Sequence, residues 1–250
     1  MSSRAEFLGR IRAEMARTPG LFPATPTIRP TRPRERLEVL RRELSERWPE
    51  SLARFVREFE RVGGVFHRVA RPAEVPGVIA TIAAERNMQR VVSWHPDALR
   101  LELAGPLAAR GLQVSAMPGA EVPAAERERL RAVVAAADLG VTGVDLAVAE
   151  TGTMVVVSGP GRPRSTSLLP ACHAALFDRE VLVESLAQVG LVLEAWHEGG
   201  AADARGAAIN FITGPSRTAD IELTLTRGVH GPKEVHAVFV EDGLGGAPRG

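Results

Sequence analysis

From Gly63-Gly64 onward, short runs rich in β-branched residues alternate with alanine-rich windows of helical spacing, and this alternation limits the fold more than any other feature. Val65 to Val69, Gln89 to Ser93 and Gly111 to Val114 have the composition of strands, while Ala73 to Arg86 and Pro123 to Ala136 have that of helices, with helical turns between Ala98 and Arg110. Strands separated by helices form βαβ units, because a parallel neighbour can be reached only through a crossover. The next three strand candidates, Leu139 to Thr142, Asp145 to Ala149 and Thr153 to Ser158, lie too close together for crossover helices, so the sheet is expected to be mixed and mostly parallel. Further along, the pattern predicts a strand over His173 to Phe177, helices over Arg179 to Val189 and Gly190 to His197, and a closing unit of strand (Ala207 to Thr213), helix (Arg217 to Arg227) and strand (Val235 to Val240).

The first sixty residues differ in texture. Phe7, Leu8, Ile11 and Met15 form one face of a short helix over residues 4 to 16, and Ser3 stands three residues before Glu6 in the spacing of a capping box. Pro19, Pro23, Pro26, Pro30 and Pro33 then exclude helix and central strand, leaving an extended arm. Between Arg34 and Arg61 apolar residues recur at helical spacing, and Trp48-Pro49 predicts a break into two helices. The expected organisation is an N-terminal helix and proline-rich arm (residues 1–33) and a main domain (34–250), made of leading helices (34–62) and an α/β core (63–250). The glycine-rich tail past Asp242 is expected to fray.

With 31 Lys and Arg against 30 Asp and Glu, the chain has no global field to attract nucleic acid or an acidic membrane surface. No apolar run approaches the roughly eighteen residues of a spanning helix, and charges are scattered through the first twenty, so the expected location is the cytoplasm. Cys172 is the only cysteine, which excludes an internal disulfide and a cysteine-ligated iron–sulfur cluster held by this chain alone. Cys172 stands next to His173, and neighbours in an extended strand point to opposite faces, against a thiolate–imidazole pair. His230 and His236 flank Lys233, the only lysine, without a recognised ligand spacing, and no structural metal is expected.

The candidate site residues sit where glycine-punctuated turns meet strand ends, the usual place for ligands in open α/β sheets. Glu150, before Thr151-Gly152-Thr153, can serve as base, nucleophile or ligand for a cation, or it can fix the turn by accepting its amides. Thr142-Gly143-Val144-Asp145 offers the same pair of readings, with Asp145 as ligand or as cap. Gly214-Pro215-Ser216-Arg217-Thr218 precedes a predicted helix, whose free amides, with the two hydroxyls and the Arg217 fork, would bind a carboxylate or phosphate; Asp220 follows one turn later. His173 is an acid–base candidate or a core histidine, and the cationic loop Ser158 to Ser167 is long enough to close over a site.

Taken in order, Thr142-Gly143-Val144-Asp145, Glu150-Thr151-Gly152-Thr153, Leu168-Leu169-Pro170, His173, Gly214 to Asp220 and Gly228-Val229-His230-Gly231-Pro232-Lys233-Glu234 resemble the lactate-utilisation protein C family and its LUD domain. The resemblance covers the chain after about residue sixty. It implies a three-layer fold of the NagB/RpiA/CoA-transferase type with an N-terminal helical extension. It also implies a component of L-lactate oxidation to pyruvate that has no redox cofactor of its own, binds a small carboxylate or phosphorylated ligand, and works beside iron–sulfur partner subunits, with a homo-oligomer as a further option. The alternatives are a stand-alone acyl-CoA transferase or sugar-phosphate isomerase using Glu150, or a non-catalytic assembly subunit.

Overall fold

The computed structural model describes residues 3–17, 30–198, 208–219 and 225–245. Most of the proline-rich arm, the loop after Glu198, Asp220 and the last five residues of the tail lie outside them. The chain divides into two compact units, Met1–Thr31 and Arg32–Gly250. In the first, α1 (Arg4–Arg17) carries the expected capping box: the Ser3 amide donates to Glu6 Oε2 at 2.7 Å and the Glu6 amide to Ser3 Oγ at 3.2 Å. Its apolar row of Phe7, Ile11 and Met15 is exposed.

In the second unit, α2 (Pro33–Arg61) runs unbroken through Pro49, where two helices were expected. An interior proline removes a backbone hydrogen bond at a cost of about 3 kcal/mol. Against that, α2 buries Leu37, Leu40 and Leu44 before Pro49 and Leu52, Phe55 and Phe59 after it, each worth about 1.5–3 kcal/mol. One continuous buried stripe therefore outweighs the local breaker.

Six strands form the main sheet: β1 (Val65–Val69), β2 (Arg90–Ser93), β3 (Gln113–Ala116), β4 (Leu139–Gly143), β7 (Cys172–Phe177) and β12 (Glu234–Val240), in the order β1-β12-β7-β4-β2-β3. Every pairing in it is parallel. The mixed character belongs instead to a second, four-stranded sheet of β5 (Leu146–Val148), β6 (Thr153–Val157), β8 (Leu182–Val183) and β9 (Ile209–Ile212), where β6 runs antiparallel to both β5 and β9.

Strand side chains alternate between faces, and the two faces of the main sheet have different cover. Cys172, Ala174, Leu176, Val238 and Val240 pack with α3 (Val75–Glu85), α4 (Pro96–Leu99) and α5 (Ala104–Ala108). Ala175, Phe177, Ala237 and Phe239 meet Phe55 and Phe59 of α2, while Val92 meets Val134 of α6 (Ala124–Ala135). The far side of the small sheet is closed by α2 and α8 (Leu186–His197), through Leu37, Leu40, Leu44, Val189 and Val192. The result is a layered α/β architecture.

Two predicted helices are corrected. Residues 179–189 split into a 3-10 turn (Arg179–Val181), strand β8 and the start of α8, whose Ser185 cap accepts the Gln188 amide. The pairing of Leu182 and Val183 with Ala147 and Val148 overrides local helical spacing. The described ends of the helix predicted over Arg217 to Arg227 are strands instead: β10 (Arg217–Ala219) and β11 (Leu225–Arg227) form an antiparallel pair. Thr218 and Thr226, which face each other in this pair, are β-branched, which favours the extended form.

Candidate functional site

The predicted residues fall into three groups. The first lies at the C-terminal edge of the main sheet. Asp145, just past β4, is 7% exposed; its carboxylate accepts the Val157 amide at 2.7 Å and pairs with Arg162 at 2.9 Å. Arg162 in turn stands 5.9 Å from the centroid of the Trp94 ring. The Trp94 indole donates to the Pro163 carbonyl at 3.3 Å, and the His95 amide to the Gly161 carbonyl at 2.9 Å. Gly161 takes φ +72°, and a Cβ there would lie 2.9 Å from His95 Cβ. The loop expected to be a free cationic flap is thus tied to the ends of β2 and β4.

Beside this loop opens a cleft of about 390 Å³ between the end of β3, α6 and the loop. Met117, Leu130 and Val134 supply an apolar wall, Ser165 a hydroxyl, Arg127 and Arg131 positive charge, and Glu121 one carboxylate, so the net charge of the lining is positive. Arg131 is paired with Glu128 at 3.2 Å, whereas Arg127 has no ion pair with a described residue. A second cleft of about 490 Å³ is lined by Asp145 and Glu180 as well as by Arg41, Arg100 and Arg179. Arg100 is committed there to the fully buried Asp178 at 2.7 Å.

The second group surrounds the C-terminal end of α2. Thr151 Oγ1 donates to Thr153 Oγ1 at 2.7 Å, and Thr153 shares a 2.8 Å bond with Thr213 Oγ1. Gly152, at φ +61°, brings its backbone against Phe59, where a Cβ would sit 2.3 Å from the Phe59 nitrogen. Gly214, at φ +75°, packs against Val62 in the same way, and the Arg217 guanidinium donates to the Val62 carbonyl. The two glycine turns singled out in the sequence therefore share one seat. Glu150 is exposed, with Oε2 accepting the Leu186 amide at 3.0 Å, so it caps the first turn of α8.

The anion-site argument for Gly214 to Thr218 depended on a helix N-terminus, and that support is gone because β10 follows instead. Ser216 is engaged by the 228–232 loop: its amide donates to the Pro232 carbonyl at 2.9 Å and its hydroxyl accepts the His230 amide at 3.3 Å. Thr218 lies in β10 and is paired through its backbone with Thr226; Asp220 falls outside the described residues.

The third group is internal. Thr142 on β4 and His173 on β7 are fully buried and share a 2.9 Å hydrogen bond. His173 Nδ1 and Thr166 Oγ1 have no partner among the described residues. Burial, with His236 as a smaller influence, pushes the His173 pKa down to about 3 from an ordinary 6.5. The unfolded chain thus binds a proton at His173 below pH 6.5 that the fold refuses until about pH 3. Stability is expected to fall across that window by a few kcal/mol. Urea midpoints at pH 7 and pH 4.5 measure it, and His173→Asn should flatten the slope; an equal slope in wild type and variant would remove His173 from the account.

Sequence reading missed Trp94, His95 and Arg162 as a unit. The signal was there in Trp94-His95-Pro96 closing a strand, but the partners come from a loop almost seventy residues away.

A wholly parallel sheet between helices, with a small mixed sheet on one side and glycine turns at its margins, defines an open-sheet α/β protein. The chain belongs to the LUD domain family, which matches residues 52–240. Over 117 residues it is 43% identical to lactate utilization protein C of Halalkalibacterium halodurans, covering 47% of this chain and 50% of that protein. The protein of the same name from an Exiguobacterium species is 43% identical over 115 residues, covering 46% and 49%. The chain spans about half the length of the curated relatives it matches. Among solved structures, a DUF162 family protein from Deinococcus radiodurans shares the fold, with a TM-score of 0.52 at 22% identity, covering 77% of this chain and 98% of that one.

Proposed function

We propose that this chain is a subunit of a lactate-utilisation system that oxidises L-lactate to pyruvate, with iron–sulfur partner subunits carrying the electrons. The names of the relatives support the pathway, and the cysteine count supports the division of labour, since one cysteine cannot hold such a cluster. Residues 34–250 form the working domain in this reading and residues 1–33 an appendage. The cytoplasm is its place; no helix among the described residues is long and apolar enough to cross a membrane.

The observation that carries ligand binding is the cleft at the C-terminal strand edge, with Arg127 at its rim. A guanidinium beside an apolar wall suits a small organic acid, whose carboxylate takes the charge and whose carbon skeleton takes the wall. The neighbouring Asp145–Arg162 pair would hold the loop that forms one side, acting as a positioning element.

Lactate-dependent reduction of an artificial acceptor by the iron–sulfur partners tests this, with the chain present, absent, or carrying Arg127→Ala. Activity should need the chain, and Arg127→Ala should raise the apparent KM for lactate about tenfold or more, the cost of one charge-assisted hydrogen bond. Indifference to the chain overturns the reading. Collapse of activity in Glu150→Gln together with a thioester adduct on Glu150 would move the chemistry to an acyl-CoA transferase.

A further inference from the structure

At the opposite, N-terminal edge of the main sheet, three potential metal ligands converge that no spacing in the sequence announces. Cys172 opens β7 and Glu234 opens β12, and the two are register partners. His236 lies two residues along β12, on the same face as Glu234. One donor atom from each of Cys172, Glu234 and His236 lies within 4.8 Å of the other two.

Cys172 and His236 are each 1% exposed, while the Glu234 side chain is 42% exposed and leaves a way in from solvent. His236 Nδ1 is bonded to His67 Nε2 at 3.0 Å, which fixes the ring and turns the other nitrogen toward Cys172 and Glu234. That nitrogen, Nε2, is buried and has no hydrogen-bond partner among the described residues; Glu234 Oε2 lies 3.5 Å away, an ion pair only when the ring is protonated.

We propose that Cys172, Glu234 and His236 form a binding site for a thiophilic divalent cation of the zinc type. The donor set is one such an ion accepts: a thiolate, an imidazole nitrogen and a carboxylate oxygen, with a solvent molecule as fourth ligand. On binding, the Cys172 thiol releases its proton to solvent, and the resulting thiolate and the Glu234 carboxylate balance the two charges of the ion. His67 serves as the outer partner that holds the ligating ring.

The competitor for the carboxylate is Arg86, just past the end of α3, whose Nε donates to Glu234 Oε2 at 2.5 Å. Arg86 keeps other partners if displaced, since its Nη1 also donates to Glu85 at 2.8 Å and to the Ile82 carbonyl at 3.3 Å. The site therefore sets a metal ion against a guanidinium for one carboxylate, and removing the guanidinium should favour the metal.

The test uses the full-length protein freed of metal with a chelator and titrated with cobalt(II), then with zinc(II) in competition. Expected are one equivalent bound, visible d–d bands of a four-coordinate ion and a near-ultraviolet thiolate charge-transfer band that zinc abolishes. Cys172→Ser should remove the charge-transfer band, and His67→Ala should weaken binding about tenfold. Arg86→Gln should tighten it by about tenfold, because a positive charge leaves the site. This gain is one that a merely damaged fold does not produce. No cobalt bound to the wild type and to Arg86→Gln, or a spectrum unchanged in Cys172→Ser, overturns the proposal. The readout is independent of lactate oxidation, so it stands or falls apart from the proposed function.

Discussion

Gly140→Ala is expected to lower the unfolding free energy by about 3 kcal/mol or more, the upper range for overpacking a core. Gly140 is in β4, a central strand, and a Cβ there would lie 1.9 Å from the Thr166 carbonyl oxygen and 3.2 Å from Pro170 Cγ. The nearer atom is backbone, in α7 (Ser165–Leu168), so no rotamer change relieves the clash. To admit a methyl group, α7 must lift from the sheet and take with it the neighbouring loop that carries Arg162 and lines the 390 Å³ cleft. Urea denaturation with intrinsic tryptophan fluorescence gives the loss directly. Gly190→Ala is the control: that glycine lies in α8 with nothing within 4 Å of its Cβ position, and alanine there should gain about 0.5–1 kcal/mol. Equal stability of the two variants would mean that the contact between α7 and β4 is much looser than described.

The second large effect is expected at Asp178. Its side chain is fully buried at the end of β7 and meets Arg100 at 2.7 Å, the Leu244 amide at 2.9 Å and the Glu180 amide at 3.1 Å. The Arg100 side chain is itself only 10% exposed. Asp178→Ala leaves two amides without their acceptor and the Arg100 guanidinium with only the longer 3.4 Å contact to the half-exposed Glu180, and breaking a buried pair from one side costs about 3 kcal/mol. Asp178→Ala/Arg100→Leu should cost less than the sum of the single changes, because the second removes the charge that the first deprives of its nearest partner. Additive losses in a double-mutant cycle would show that the two side chains are not coupled.

Much of the architecture was legible because its signals are local. Strands such as Thr153–Val157 and Glu234–Val240 announce themselves as β-branched runs, and α6 and α3 as alanine-rich windows. The errors arose where a distant partner overruled the neighbourhood. Pro49 looked like a break until α2 proved to have continuous burial on both sides of it. Leu182 and Val183 fit a helix until paired with β5. For the candidate site, the glycine turns could be read as turns, since a residue such as Gly152 is needed at positive φ. What each turn would meet could not be read: Thr153 finds Thr213, Asp145 finds Arg162, and Cys172 finds Glu234 and His236. Those meetings depend on strand order and register, which no window of sequence contains.

The C-terminal end of α2 also bears on how the chain reaches its fold. Gly152 closes on Phe59 and Gly214 closes on Val62, so one stretch of helix receives turns made far later in the chain. Contacts of such sequence separation slow folding, because long loops must close before the contact repays them. Made before the strands that bury them, Phe55 and Phe59 of α2 stay uncovered until those strands leave the ribosome. Its unbroken stripe of apolar residues is then both the seat of the finished domain and, during synthesis, a surface exposed to wrong partners.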